Sequence, residues 1–332
     1  MSKPQVQAEG AARATGGDAA PIDRVAVMGA GAVGSYFGAM LARAGCDVTL
    51  VARPAHVAAM RRDGLRLESA HFTGAVPVRA DTDAAAIAGA GLVLVCVKST
   101  DTETAAAAMA PHLGPATLVL SLQNGVDNAA RLAAALQRDV IPAVVYVATE
   151  MAGPGVVRHH GRGELVIGAL EAADQARLLP RLQSVVEVFA AAGVPVRIAQ
   201  TVAAELWSKL IVNCAYNAIS ALAQAEYGRL ATDPAIVAVM HDVVDEALAV
   251  AAALGISLPR EATHDAVRRI AMTMAEQRSS TAQDVAARKP TEIEHLNGTV
   301  VRRGAELGIA TPVNRTLHAL VGLVEAGYRR GG

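Results

Sequence analysis

A short β-branched run, RVAVMG (24 to 29), passes straight into Gly29-Ala30-Gly31-Ala32-Val33-Gly34, and this loop opens a helical stretch over residues 32 to 44. Few folds accommodate a strand, a G-x-G-x-x-G turn and a helix in that order. Gly29 suits the tight turn, Gly31 lets the backbone approach an anion, and Gly34 lets helix and strand pack closely. The helix start meanwhile presents free N–H groups. The plain alternative is a glycine-rich turn in a chain rich in Ala and Gly. The flanking strand and helix favour a dinucleotide pyrophosphate site instead.

The alternation continues downstream. DVTLVA (47 to 52), GLVLVCVK (91 to 98), ATLVLSL (116 to 122) and VIPAVVYVAT (140 to 149) read as strands, with helical stretches around 101 to 110 and 126 to 137. Residues 151 to 168 read as a Gly-punctuated hairpin, 173 to 191 as a helix, and VPVRI (194 to 198) as a last strand. Repeating βαβ units feed a parallel sheet. From about residue 200 strand patterns vanish, and breaks fall at Gly255 to Pro259, Arg278 to Thr281 and Lys289 to Pro290. The expected fold class is α/β, a Rossmann-type doubly wound sheet over 23 to 199 followed by an all-α domain over 200 to 332. Residues 1 to 22 are expected to form a disordered tail.

With 332 residues, 52% of them hydrophobic, the chain can bury the cores of two domains. Its 30 basic and 31 acidic residues give a formal charge of −1 without a long basic run, which argues against nucleic acid or an anionic membrane as partner. Cys46, Cys96 and Cys214 are too few and too scattered for a disulfide framework or a cysteine metal site, so no metal is expected and a reducing compartment is. The first 22 residues lack the apolar core of a signal peptide, and no segment offers about 18 uninterrupted apolar residues. A cytoplasmic protein acting on a small molecule fits these features. The oligomeric state stays open, a homodimer being compatible with it.

The choice of nicotinamide cofactor should be made at the end of the second strand, where an acidic side chain would bind an unphosphorylated ribose. That place holds Arg53, whose guanidinium matches a 2′-phosphate and so points to NADPH. Lys98, at the carboxyl end of another strand, would add positive charge near the phosphate or adenine. Either residue could instead be a solvated base at a strand end.

Asn124-Gly125 closes a further strand, where a turn asparagine and a ligand-facing amide are both open readings. In ELWSKLIVNCAYNAISAL (205 to 222), Lys209, Asn213 and Asn217 stand at i, i+4 and i+8, one above another on a mostly apolar helix. Polar groups so placed are costly unless each finds a partner. A surface pair between Lys209 and Glu205 is the simpler alternative. Near the C-terminus, Ser280 with Gln283 matches a capping box, and Glu292 after Pro290 matches a first-turn carboxylate.

Taken together, GAGAVGSYFG (29 to 38), CVKSTDT (96 to 102), LQNGV (122 to 126), ELWSKLIVNCAYN (205 to 217) and SSTAQDVAARKPTEIEHLNG (279 to 298) resemble the ketopantoate reductases, or 2-dehydropantoate 2-reductases. The resemblance spans residues 23 to 325. It implies that NADPH binds the Rossmann domain and 2-dehydropantoate the cleft beside the helical domain. It also implies reduction of the ketone to (R)-pantoate, on the route to pantothenate and coenzyme A. By the same resemblance Lys209 is the general acid, while Asn124, Asn213, Asn217 and Ser280 hold the substrate. Glu292 assists at the catalytic centre, Asn124 and Glu292 also border the cofactor, and Arg53 and Lys98 keep their cofactor roles. Two alternatives stay open: a reductase of another small 2-keto acid, and an NADPH-binding sensor without turnover.

Overall fold

The computed structural model describes residues 22–329, so the expected tail lies outside the described residues except for Ile22. The opening unit follows the sequence pattern, with β1 (Arg24–Met28), α1 (Ala32–Arg43) and β2 (Asp47–Val51). Four elements that the pattern did not suggest come next: α2 (Pro54–Asp63), β3 (Leu65–Glu68), β4 (Thr73–Val76) and β5 (Arg79–Asp81). These strands are three or four residues long, and Arg66 and Arg79 take outward positions, so no apolar run marks them. They form because partners elsewhere in the chain complete their hydrogen bonds, Arg66 opposite Val156 in one case.

The sheet continues through β6 (Leu92–Val95), α3 (Thr102–Met109), β7 (Leu118–Ser121), α4 (Asn128–Leu136), β8 (Ile141–Gly153), β9 (Val156–Ile167), α5 (Gln175–Ala191) and β10 (Val196–Ile198). Its order is β4-β3-β9-β8-β7-β6-β1-β2-β5, with β10 beside β9. From β8 to β5 all neighbours are parallel; β9 then turns back antiparallel on β8. The expected separate strand (140 to 149) and hairpin (151 to 168) are therefore one hairpin, whose first arm begins at Ile141. Glycine in the second arm concealed its length.

Side-chain alternation puts the two faces of β1 into different cores. Val25 and Val27 pack with Phe37, Leu41, Leu50 and Phe189 on one face. Ala26 joins Val93, Val95, Met109 and Leu132 on the other. Helices on both faces bury the sheet, which is the doubly wound arrangement.

After Ile198 the described chain is helical: α6 (Val202–Ala223), α7 (Tyr227–Leu230), α8 (Pro234–Ala253), α9 (Arg260–Thr273), α10 (Ser280–Ala286), α11 (Asn297–Leu307) and α12 (Pro312–Arg329). Boundaries follow local chemistry. Asp233 caps α8 by accepting from the N–H of Ala235 and Ile236, with Pro234 in the first turn. Trp207, Leu210, Ile211, Cys214 and Tyr216 of α6 anchor a separate core with α8, α11 and α12. A small seam of Val144, Val166, Ala199, Val202 and Leu206 joins α6 to the hairpin. That seam fixes where Lys209, one turn further along α6, meets the sheet.

Candidate active site

The glycine loop is built by steric necessity. Gly29 has φ of 96°, and a Cβ there would lie 2.7 Å from the backbone nitrogen of Val97. A Cβ at Gly34 would lie 2.6 Å from the carbonyl oxygen of Gly29, so α1 can sit this close to β1 only without a side chain. Gly31 has open space around it and serves as the N-cap of α1 without a capping side chain. Ala30 hydrogen-bonds back to the carbonyl of Val51. The first-turn N–H groups of Ala32, Val33 and Gly34 are thus left for an anion from outside. A cradle that a Cβ would fill, at a helix start beside the carboxyl ends of β1 and β6, fits a dinucleotide pyrophosphate.

Arg53 stands two residues past β2 at the N-cap of α2, exposed, and its guanidinium has no partner among the described residues. Lys98 is engaged. Its Nζ donates to Asp284 Oδ2 at 2.7 Å and to the carbonyl of Pro290 at 2.6 Å, tying the loop after β6 to α10 and to the segment that follows it. Burial pushes the Asp284 carboxyl up, and the Lys98 ammonium holds it down. The positive charge expected of Lys98 at the cofactor is therefore shared with a carboxylate of the helical region.

Lys209 meets the sheet directly. Its Nζ donates to Asn124 Oδ1 at 3.0 Å and to the carbonyl of Val145 at 2.6 Å. Burial lowers its pKa to about 8, with Glu292 pulling upward and Arg162 adding to the depression. It does not pair with Glu205, which is held by Arg197 at 2.5 Å. Asn124 also donates through Nδ2 to Glu292 Oε2 at 3.3 Å. Glu292 in turn accepts from the N–H and Oγ of Ser99, at 2.9 and 2.8 Å. The carboxylate therefore acts on Lys209 through Asn124 and through its field, not by direct contact.

The remaining expected residues divide. Asn213 is half-buried and Asn217 only 4% exposed, and neither amide has a partner among the described residues. Two amides without a protein partner on the same helix face as Lys209 leave donors and acceptors for a polar ligand. Ser280 is exposed at the first position of α10, and the capping box expected of it with Gln283 does not form. Ser279 is the cap: its Oγ accepts from the N–H of Ala282 at 3.0 Å and donates to the carbonyl of Asn217 at 3.2 Å.

Sequence reasoning passed over Ser99 and Asn128. Asn128 Nδ2 donates to Ser99 Oγ at 3.0 Å, and its Oδ1 accepts from Thr102 at 3.1 Å, so the Asn124 turn rests on a buried polar network. The one available signal was that Ser99 follows Lys98 at a strand end. Tyr146 was passed over too; its ring centroid lies 5.9 Å from Lys209 Nζ.

Comparison with known proteins gives a consistent result. Residues 25–172 match the family model described as "Ketopantoate reductase PanE/ApbA", and residues 201–325 match "Ketopantoate reductase PanE/ApbA C terminal". The chain is 38% identical to a 2-dehydropantoate 2-reductase of Halobacterium salinarum, over 91% of this chain and 99% of that one. It is 35% identical to that of Archaeoglobus fulgidus, over 92% and 99%. Among solved structures, a PanE/ApbA family ketopantoate reductase from Ralstonia eutropha JMP134 is 56% identical. It superposes with a TM-score of 0.85, covering 92% of this chain and 99% of that one.

Proposed function

Because the chain belongs to the ketopantoate reductase family, we propose that it reduces the ketone of 2-dehydropantoate to (R)-pantoate with NADPH as the reductant. The observation that carries this reading is the joined set Lys209, Asn124 and Glu292, brought from three separate parts of the chain to the carboxyl edge of the sheet. A bound nicotinamide dinucleotide would supply hydride to C2 of the keto acid. Gly29 to Gly34 would hold its pyrophosphate at the start of α1. Arg53, exposed and unpaired, would bind the ribose 2′-phosphate, and Lys98 would border the adenosine while tied to Asp284.

Lys209 would place its ammonium against the ketone oxygen, stabilise the alkoxide as charge develops there, and donate the proton that completes the alcohol. Asn124 and Val145 hold that ammonium in place. Glu292, half-buried and bonded to Ser99 and Asn124, keeps the Asn124 amide oriented and favours the charged form of Lys209. Asn213 and Asn217, with Ser280 at the rim, would hydrogen-bond the rest of the substrate.

The test is oxidation of NADPH by the purified protein with 2-dehydropantoate against a panel of other small 2-keto acids, repeated with NADH. Preference for 2-dehydropantoate and NADPH is the expected result. Turnover confined to another keto acid would discard the substrate, and NADPH binding without turnover on any of them would favour a sensor.

A further inference from the structure

The β8–β9 hairpin has a backbone irregularity that the sheet itself does not need. Gly161, Arg162 and Gly163 have φ of 150°, 60° and 142° in succession. The pairing register shifts on both sides of them, between Tyr146 and Val147 and again between Ala148 and Thr149. A non-glycine residue in the left-handed region costs about 1–3 kcal/mol and persists where the surroundings over-determine it, most often at a functional site. The surroundings do so here. A Cβ at Gly163 would lie 2.6 Å from Tyr36 Oη, so α1 behind the strand fixes its course.

The two bulges flank Arg162, which shares the Tyr146 ring with Lys209. The Arg162 guanidinium lies over the Tyr146 ring, with Cζ 4.3 Å from the centroid, and Lys209 Nζ approaches the same centroid at 5.9 Å. Glu164 Oε1 accepts from Nε and Nη2 of Arg162, at 2.8 and 2.5 Å, and holds the plane. Nη1 has no partner among the described residues, and the side chain is 44% exposed. One edge of the fork is therefore open towards solvent.

A 2-keto acid carries a carboxylate on the carbon next to its ketone. The charge of Lys209 is committed to the ketone oxygen, while Asn124, Asn213, Asn217 and Ser280 are neutral. A carboxylate leaving water needs a cation, and a guanidinium with an open edge provides the matching geometry. We propose that Arg162 is a specificity-determining residue that binds the substrate carboxylate, an inference that rests on reading the site as one for a small 2-keto acid. Its charge also disfavours the ammonium form of Lys209, so the two cations stand within electrostatic reach of one another.

The test measures binding with NADP+ in place, so that no turnover is required. 2-Dehydropantoate and its neutral methyl ester are titrated into wild type, Arg162→Gln and Arg162→Gly; the glycine variant also relieves the positive φ, so it keeps the fold. Kd for the acid should rise about tenfold or more in both variants, and Kd for the ester should stay within about twofold. Equal weakening of acid and ester, or no change in either, would overturn the role of Arg162. Reduction by wild type is measured separately. If it rejects 2-dehydropantoate and reduces another 2-keto acid, the substrate named above falls, and that acid and its ester take over the comparison that decides for or against Arg162.

Discussion

Asn124 Oδ1 accepts from Lys209 Nζ at 3.0 Å while the amide nitrogen of the same side chain donates to Glu292 at 3.3 Å. One turn residue thus fixes the separation of a cation and an anion carried by different helical segments. Movement of the helical region against the sheet would have to break or stretch this pair of bonds together with the two that Ser99 donates to Glu292.

If Lys209 is the general acid proposed above, replacing it by Ala should lower kcat by about 10²- to 10⁴-fold and leave NADPH affinity nearly unchanged. Wild type should also show an alkaline limb in kcat/KM. A general acid works in its protonated form, so activity is full below a pKa of about 8 and falls as pH rises through it. A pH profile flat up to pH 10, or near-normal turnover in the variant, would remove Lys209 from the mechanism.

Glu292→Gln keeps an oxygen for Ser99 and discards the charge that favours protonated Lys209. The alkaline limb should shift to lower pH, and the expected direction follows from the sign alone. An unmoved or raised limb in the kcat/KM profile would mean that Glu292 does not act on Lys209 through its field.

Arg53→Ala should weaken NADPH by tenfold or more, about the worth of one charge-assisted bidentate contact, and leave NADH within about twofold. Fluorescence titration of both dinucleotides makes the comparison. Equal losses would argue against recognition of the 2′-phosphate.

Lys98 and Asp284 form a partly buried pair between the loop after β6 and α10, with side chains 33% and 20% exposed. A double-mutant cycle of thermal unfolding on Lys98→Met and Asp284→Asn should return a coupling of about 1 kcal/mol. A coupling of zero would show that the bond adds nothing to the stability of the fold.

Gly34→Ala forces a methyl group to within 2.6 Å of a backbone oxygen and 2.7 Å of Val27 Cγ1. Backbone cannot yield as a side-chain tip can, so the loss should be about 1–3 kcal/mol, read as a lower melting temperature. Cofactor affinity should fall with it, because the same shift displaces the first turn of α1.

The sequence by itself determined the features whose physics is local. The steric demands of Gly29 and Gly34, the start of α1, the open position of Arg53 and the stacking of Lys209, Asn213 and Asn217 along α6 all arise within a few residues of chain. Tertiary structure decided the rest, because a hydrogen-bond partner, a register or a strand edge depends on groups far away in the chain. That is why Lys209 chose Asn124 and Val145 over Glu205, Lys98 came to share its charge with Asp284, and Ser279 took the cap expected of Ser280. It is also why β3 to β5, too short to show an apolar pattern, exist at all, and why Arg162 is held over Tyr146 at a backbone angle that local preference alone disfavours.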